Sequence, residues 1–326
     1  MKLSQLRQDL VSGDWIVVAP RVRFRPHQIG GRKKSRVRAP KSTCPFERPV
    51  NPLLEIRNPH DWTVQIIQNK FPAFVHRDVC SKVRKEGPYA VTDGIGHHDV
   101  LITRSHTQDF PDLPITHARD LFRAFQDRYL MLMADSCLAY ISMFHNWGPS
   151  AGASIYHPHY QMIAIPVVPP DFEHSLKGAL AYSKQHSACV HCAMIAWERK
   201  EKKRIIVENE GAIAFAPFLS RTGFEVRVFP KRHLPFFEHT PERELGYVVE
   251  ALHAVLKKVK RSLQDPDYNF FIHTAPIKHR KAYENYHWHI EVLPKVNIAA
   301  GFELGTGIEI NPVDPDEAAR ILRAKK

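Results

Sequence analysis

The chain has 326 residues, enough for two ordinary domains, and 44% of them are apolar, so it can bury a core and is not expected to be disordered. Its net charge of +12 at pH 7 favours anionic partners such as phosphorylated metabolites or nucleic acid. The sequence contains no run of about 18 apolar residues, the length that a membrane span requires, so we expect no membrane partner.

The first ten residues carry charges and no apolar stretch, so we expect a cytoplasmic protein without a secretory signal. The chain has five cysteines, an odd number, and in a protein without an export signal these argue against a disulfide framework. The cysteines are Cys44, Cys80, Cys137, Cys189 and Cys192.

The hydrophobic periodicity predicts the same series of elements twice, after an initial strand over 15–20. The first series is a strand over 97–106, a helix over 116–136, a strand over 139–144 and a His-x-His strand over 157–165. The second is a strand over 224–233, a helix over 241–263, a strand over 268–273 and a His-x-His strand over 287–293. This repetition predicts two similar α+β halves, each an antiparallel sheet with a packed helix. We expect an N-terminal domain over 1–175 and a C-terminal domain over 176–326, joined near the proline-rich stretch 165–170.

A loop of small residues followed by a strand with alternate histidines marks a candidate catalytic segment. Because alternate strand residues face one side, His157, His159 and Gln161 are expected to point the same way. The N–H groups of loop 148–154 suit a phosphate, and a histidine beside a phosphate is a candidate nucleophile or acid–base group. Gln161 can donate a hydrogen bond to a phosphoryl oxygen. The alternative is a strand with two core or metal-binding histidines.

Two sets of potential metal ligands lie at equivalent positions of the two halves. The later set has the two cysteines and two histidines of a tetrahedral zinc site: Cys189, Cys192, His233 and His287. The earlier set has glutamate in place of the second cysteine, which zinc also accepts: Cys44, Glu47, His106 and His157. We expect one or two zinc ions. The alternatives are a vestigial first site with a buried Cys44, and a turn or redox pair at the later CxxC.

Two weaker signals concern anion binding. Arg21, Arg23 and Arg25 follow the first strand and either hold a phosphate or form a solvated face. The glycine-rich segment Gly301–Gly307 is either an anion-binding loop, through its N–H groups and Thr306, or a plain turn.

The motif Gly-Ala-Ser-x-x-His-Pro-His-x-Gln, residues 152–161, resembles the active-site motif of galactose-1-phosphate uridylyltransferases, which belong to the histidine-triad superfamily. The resemblance extends from about residue 10 to 323 and includes Gln68-Asn-Lys-Phe-Pro-Ala-Phe74 and Tyr286-His-Trp-His289. It implies tandem histidine-triad-like halves and a ping-pong transfer of UMP from UDP-glucose to galactose 1-phosphate.

The resemblance also assigns roles to individual residues. It implies that His159 becomes uridylylated and that Gln161 binds the transferring phosphoryl group. The residues implied to contact substrate are Arg25, Asn69, Asn146, Ser154, Gly305 and Thr306. It further implies zinc beside the nucleophile at Cys44, His106 and His157, and a homodimer.

The sequence departs from this family at the metal sites. Glu47 replaces a cysteine found in many members, and the later set resembles a branch that includes a plant ADP-glucose phosphorylase. That branch shares the later CxxC and the Gly-Phe-Glu-x-Gly-Thr-Gly segment, and it transfers AMP. A nucleoside-diphosphate-sugar phosphorylase that uses the same histidine is therefore the first alternative function. A zinc-stabilised nucleic-acid-binding protein, suggested by the charge, is the second, although we expect no nucleic-acid partner. The base, the acceptor and the identity of the metal, zinc or iron, stay open.

Overall fold

A computed structural model describes residues 3–20, 36, 38–48 and 51–324. Its strands are β1 (Gln5–Gln8), β2 (Trp15–Val18), β3 (Leu54–Arg57), β4 (Trp62–Gln68), β5 (Arg84–Glu86), β6 (Tyr89–Val91), β7 (His97–Thr103), β8 (Tyr140–Trp147), β9 (His159–Ile165), β10 (Ile205–Glu208), β11 (Ala212–Phe215), β12 (Val226–Pro230), β13 (Tyr268–His273), β14 (His289–Pro294) and β15 (Ile310–Asn311). Its α-helices are α1 (Ile115–Leu132), α2 (Pro170–His186), α3 (Val190–Glu201), α4 (Glu242–Ser262), α5 (Gly301–Thr306) and α6 (Pro315–Ala324).

Ten strands form one antiparallel sheet that runs through both halves of the chain. The strand order is β10-β11-β12-β14-β13-β8-β9-β7-β4-β3. The sheet divides between β13 and β8 into two sets of five strands. The set that ends with β13 repeats, in reverse order, the set that begins with β8. Phe144 of β8 lies opposite Phe271 of β13 at the centre of this arrangement. The predicted α+β class with tandem halves is confirmed, and tertiary pairing fuses the two expected sheets into one.

Helices α1 and α4 cover one face of the sheet, and their burial forms the main core. Their apolar residues recur every three or four positions, the period that places them on one side of a helix. Phe122 of α1 packs against Phe270 of β13, which in turn contacts Tyr160 of β9, and all three side chains are fully buried. Each such side chain stabilises the fold by roughly 1.5–3 kcal/mol through burial alone. The predicted helices over 116–136 and 241–263 are confirmed.

The opposite face of the sheet carries His98, His159 and His289 and is partly covered by α2 and α3, which the periodicity did not predict. Phe172 of α2 packs against Tyr140 and Tyr286. Helix α2 begins at Pro170, where proline is favoured in the first helical turn. The expected boundary at residue 175 therefore falls inside a helix, and the division into two domains stays a prediction.

A disulfide joins Cys80 to Cys137 across 57 residues of sequence. The expectation that the cysteines form no disulfide is therefore wrong for this pair. Cys80 lies in the segment between β4 and β5, and Cys137 follows α1, so folding brings together two positions that sequence spacing does not connect. In the part of the chain that is described, no helix is long and apolar enough to cross a membrane.

Candidate functional site

His159 is the first residue of β9, and its side chain lies against Phe46, with ring centroids 5.3 Å apart. Its Nδ1 is 3.0 Å from the carbonyl oxygen of His157. A carbonyl can only accept, so Nδ1 carries the proton and Nε2 keeps its lone pair. Burial lowers the pKa of His159 to about 4, which leaves the ring neutral at physiological pH. A neutral imidazole with an available Nε2 is the nucleophilic form of histidine.

Gln161 is oriented by His98, a residue that the sequence reasoning missed. The backbone N–H of Ala73 donates to Nδ1 of His98 at 3.1 Å, so the ring proton of a neutral His98 lies on Nε2. This Nε2 is 2.9 Å from Oε1 of Gln161 and therefore donates to it. The Gln161 carboxamide is thus held by its oxygen, which leaves its N–H₂ group to face a ligand. The sequence indicated this contact only weakly. His98 is two residues from Val100 on β7, and Val100 lies directly opposite Gln161 on β9.

Asn69 lies beside this pair, and the substrate contact that the family resemblance implied for it stays a prediction. Its Oδ1 accepts the backbone N–H of Phe71 at 2.9 Å. Its Nδ2 is 2.9 Å from Nε2 of His98, where both nitrogens carry protons, so this approach is a contact and not a hydrogen bond. Asn69 follows β4 directly, so the end of that strand places it next to β7.

A buried Asp109–His145 pair supports the backbone of His159 from the helix-covered face. The Nδ1 of His145 is 2.8 Å from the carbonyl oxygen of His159, and its Nε2 is 3.0 Å from Oδ1 of Asp109. Each ring nitrogen faces an oxygen, so the ring is held between the His159 carbonyl and the Asp109 carboxylate. Tyr268 donates to the other carboxylate oxygen at 2.7 Å. No spacing in the sequence indicated this pair.

The loop before His157 is built around Gly148. Its φ is +83°, and a Cβ at this position would lie 1.9 Å from Oδ1 of Asp267, so only glycine fits. The predicted use of the loop's N–H groups as a phosphate site is wrong for residues 150–153. The N–H of Ser150 donates to Asp267, and those of residues 151–153 donate to carbonyls within the loop. The internal bonding that shapes this tight turn consumes the donors.

Asn146 and Ser154 flank this loop. Oδ1 of Asn146 accepts a hydrogen bond from Asn269 at 2.8 Å, which fixes the orientation of its carboxamide. Asn146 is two residues from Phe144, which lies directly opposite Gln161 on β9, so its side chain shares a sheet face with Gln161. Ser154 is exposed.

The first predicted metal cluster is assembled. Ligand atoms of Cys44, His106 and His157 all lie within 4.8 Å of one another, and Oε1 of Glu47 is 3.1 Å from Nδ1 of His106. The Nε2 atoms of both histidines face carbonyl oxygens, at 2.7 Å for His106 and 2.8 Å for His157, so both Nδ1 atoms carry lone pairs. Glu47 Oε1 and His106 Nδ1 are buried without a hydrogen-bond partner among the described residues. Two acceptors this close repel one another unless a cation lies between them, so the donor set fits a metal ion.

The second predicted metal cluster repeats this geometry. Its four ligand atoms, from Cys189, Cys192, His233 and His287, lie within 4.8 Å of one another. The Sγ of Cys192 is 3.5 Å from Nδ1 of each histidine. The Nε2 atoms again donate to carbonyl oxygens, at 2.8 Å for His233 and 3.0 Å for His287. The side-chain hydrogen bond from Cys192 holds the pKa of the Cys189 thiol well below its usual value. A thiolate among neutral imidazoles is the ligand set of structural zinc.

The repeat equivalents of His159 and Gln161 are His289 and Glu291, and their surroundings differ. His289 is packed against His191 of α3, with ring centroids 5.0 Å apart. Glu291 is ionised because the charges of Arg221 and Arg227 offset its burial and hold its pKa well below the usual value. Arg221 donates to it at 2.9 Å. The second half therefore packs a helix over the position equivalent to His159 and pairs the equivalent of Gln161 with arginines.

The remaining predicted substrate residues, Gly305, Thr306 and Arg25, either lie in a segment that differs from expectation or lie outside the described chain. The glycine-rich segment forms the short helix α5 instead of an open loop, because its N–H groups bond within the helix. The hydroxyl of Thr306 donates to the Phe302 carbonyl at 2.7 Å, and Gly305 is exposed. A substrate role for Gly305 and Thr306 stays a prediction. Arg25, with Arg21 and Arg23, lies outside the described residues.

Comparison with known proteins agrees with this geometry. A family described as a domain of unknown function, DUF4921, matches residues 60–325. The chain is 32% identical to an ADP-glucose phosphorylase of Arabidopsis thaliana, over 98% of this chain and 92% of the relative. It is 27% identical to a galactose-1-phosphate uridylyltransferase of Thermotoga maritima, over 98% of each chain. A crystal structure of an Arabidopsis thaliana ADP-glucose phosphorylase with bound ADP-glucose superposes with a TM-score of 0.82, at 29% identity and 99% coverage of both chains.

These similarities extend over nearly the whole chain and include the fused sheet that carries His159. The chain belongs to the DUF4921 family and, with it, to the galactose-1-phosphate uridylyltransferase-like enzymes that carry out nucleotidyl transfer.

Proposed function

We propose that the protein transfers a nucleoside monophosphate from a nucleoside-diphosphate glucose to a second phosphate group, through a covalent intermediate on His159. The observation that carries this proposal is the tautomer of His159, whose Nδ1–H is bonded to the His157 carbonyl and whose Nε2 is the nucleophilic atom. Within the described residues, no hydrogen bond engages that Nε2.

In the first half-reaction, the lone pair of His159 Nε2 forms a bond to the α-phosphorus. The bond between that phosphorus and the bridging oxygen breaks, and the sugar 1-phosphate leaves with the electron pair. The Gln161 amide, held by His98, donates to the phosphoryl oxygen on which charge develops. In the second half-reaction, an oxygen of the acceptor phosphate attacks the same phosphorus and releases neutral His159.

We place ADP-glucose first as donor, with inorganic phosphate as acceptor. The 32% identity to a plant ADP-glucose phosphorylase and the Cys₂His₂ cluster of the second half both support this choice. Transfer of UMP from UDP-glucose to galactose 1-phosphate is the second candidate. It is supported by the 27% identity to a uridylyltransferase over the full length.

Zinc is the metal that we propose for both clusters. The first would be held by Cys44, Glu47, His106 and His157, and the second by Cys189, Cys192, His233 and His287. Bound zinc supplies structural cross-links there, because all four positions of a tetrahedral ion would be filled by protein. His157 thus connects the first cluster to the nucleophile, whose Nδ1–H its carbonyl accepts.

The test is intact-protein mass spectrometry after incubation with ADP-glucose or UDP-glucose at neutral pH without acid quench. We expect an AMP adduct that disappears in His159→Ala and persists in His289→Ala, the matched change at the repeat-equivalent histidine. Discharge by inorganic phosphate identifies a phosphorylase, and discharge by galactose 1-phosphate identifies a transferase. A UMP adduct would select the second candidate.

No adduct from either donor, in protein that retains its metal, would contradict the mechanism. The nucleic-acid alternative would then be tested directly, since it predicts salt-dependent binding of DNA or RNA that survives His159→Ala. A homodimer is expected from the family and is tested by light scattering on the same preparation.

A further inference from the structure

A third cluster of potential metal ligands lies away from both cysteine-containing clusters. It consists of His76, His97 and Asp135, whose ligand atoms all lie within 4.8 Å of one another. His97 begins β7, Asp135 follows α1, and His76 lies in the segment between β4 and β5. Three separate parts of the chain therefore converge at one point. Neither the repeat nor the family motif accounts for this convergence.

The distances are close to those between the ligands of a coordinated ion. Oδ2 of Asp135 is 3.2 Å from Nε2 of His97 and 3.7 Å from Nδ1 of His76. A zinc ion with bonds of about 2.0–2.2 Å at tetrahedral angles separates its ligand atoms by roughly 3.3–3.6 Å. The two imidazole rings are stacked, with centroids 4.6 Å apart, and the nitrogens that face Asp135 are Nδ1 of His76 and Nε2 of His97.

The surroundings also suit an ion. On the far side of the His76 ring, Oδ1 of Asp78 is 3.6 Å from Nε2, where ligating histidines commonly have a carboxylate acceptor. The cluster opens into a pocket of about 380 Å³. Arg128 on the pocket wall donates to Asp99 at 2.8 Å, so its charge is balanced by a carboxylate outside the cluster. The pocket leaves room for a water molecule or another exchangeable ligand.

The disulfide connects the segments that carry two of these ligands. Cys80 lies four residues after His76, and Cys137 lies two residues after Asp135. Asp135 is held further, because its Oδ1 accepts the backbone N–H of Cys137 at 2.9 Å. The covalent bond restricts the separation of the two ligands and so lowers the entropy lost when an ion binds.

We propose that His76, His97 and Asp135 form a third metal site, which binds a divalent ion of the zinc class with one coordination position open to the pocket, and that the Cys80–Cys137 disulfide organises it. Two histidines and one carboxylate with an open position form a ligand set that zinc accepts. The site does not depend on the function proposed for His159. Metal and disulfide cross-link the same two segments of the chain, so each stabilises the arrangement that the other requires.

The test is calorimetric titration of the purified metal-containing protein with Zn²⁺, together with the zinc content after equilibration. We expect the wild type to bind one equivalent more than His76→Gln and Asp135→Asn. His60→Gln, the same change at an exposed histidine outside the cluster, should retain that equivalent. Because His76 is 47% exposed, its substitution should leave the thermal midpoint unchanged when no zinc is added. Equal stoichiometry in wild type and His76→Gln would overturn the proposal.

Cobalt distinguishes this site from the others. Co²⁺ at the cysteine clusters gives thiolate-to-metal charge-transfer absorption, whereas Co²⁺ at the third site should give only weak d–d bands, absent in Asp135→Asn. If added Co²⁺ gave charge-transfer absorption and no separate weak bands, all of it would be bound by thiolates, which would contradict the third site. The double variant Cys80→Ser, Cys137→Ser should bind the extra equivalent at least about tenfold more weakly. Serine is used because a freed cysteine would offer a new ligand. Unchanged affinity would refute the organising role of the disulfide.

Discussion

The buried Asp109–His145 pair offers the sharpest test of how the nucleophile is supported. In Asp109→Asn, the shape of the side chain is kept and the charge opposite His145 is removed. Both partners are buried, with side-chain exposures of 2% and 0%, so water cannot replace the lost interaction. Losing a buried hydrogen bond to a charged group costs about 1.5–3 kcal/mol. The asparagine oxygen still accepts the Tyr268 O–H, and its N–H₂ donates to Nε2 of His145, so a neutral hydrogen bond replaces the charge-assisted one and adds nothing to that cost.

The assay is thermal and urea unfolding, with Asp112→Asn as the matched control. Asp112 lies three residues away, is exposed and pairs with Lys260 on the surface, where an ion pair contributes about 0–1 kcal/mol. We expect Asp109→Asn to lower the midpoint by roughly 3–6 °C, taking about 2 °C per kcal/mol for a chain of this size. The control should change it by about 2 °C or less.

A double-mutant cycle completes the test. If the pair acts as described, His145→Gln should add little to the effect of Asp109→Asn, because the interaction is already lost. Additive losses, or a loss from Asp109→Asn no larger than that from Asp112→Asn, would refute the reasoning.

Three other predictions concern the nucleophile, its partner and the second cluster. His98→Ala should lower the rate of nucleotidyl transfer about 10–100-fold. In double-variant kinetics, adding Gln161→Ala should lower the rate little further. Fully additive losses would contradict the role of His98 in orienting Gln161. Because burial lowers the pKa of His159 to about 4, protonation removes the nucleophile only near that pH. The rate of the first half-reaction should therefore stay level from pH 8 to about 5.5 in stopped-flow assays, and a fall near pH 6.5 would contradict this. Cys189→Ser should remove one zinc and lower the thermal midpoint, whereas unchanged metal content by mass spectrometry would count against that cluster.

The sequence predicted the elements whose pattern arises from burial on a single face. The helix expected over 241–263 is α4, because its apolar residues meet the sheet along one stripe. The strand expected over 268–273 is β13 without any shift. The clustering of the histidines and cysteines was also predictable, since their spacing repeats in both halves.

Other features depend on contacts that no local pattern records. Helix α3 was not predicted because its buried residues include His191 and Glu198, which weaken an apolar stripe. The pairing of Asp109 with His145 joins positions 36 residues apart through packing alone. His98 orients Gln161 from a neighbouring strand, and the Cys80–Cys137 bond depends on where α1 ends.

The β8–β13 pair in the middle of the sheet also determines which strand edge each half of the chain would expose if the two halves were separated. Phe144 and Phe271 lie opposite each other at the point where one half passes into its counterpart. Divided between the halves, the chain would expose β8 on one fragment and β13 on the other as bare edges with unsatisfied N–H and C=O groups. Because an antiparallel edge is self-complementary, two copies of the N-terminal half could pair through β8 and restore a ten-stranded sheet with two nucleophiles. The single chain thus has the architecture of a symmetric dimer, in which His159 of one half and His289 of the other occupy equivalent strand positions with different surroundings.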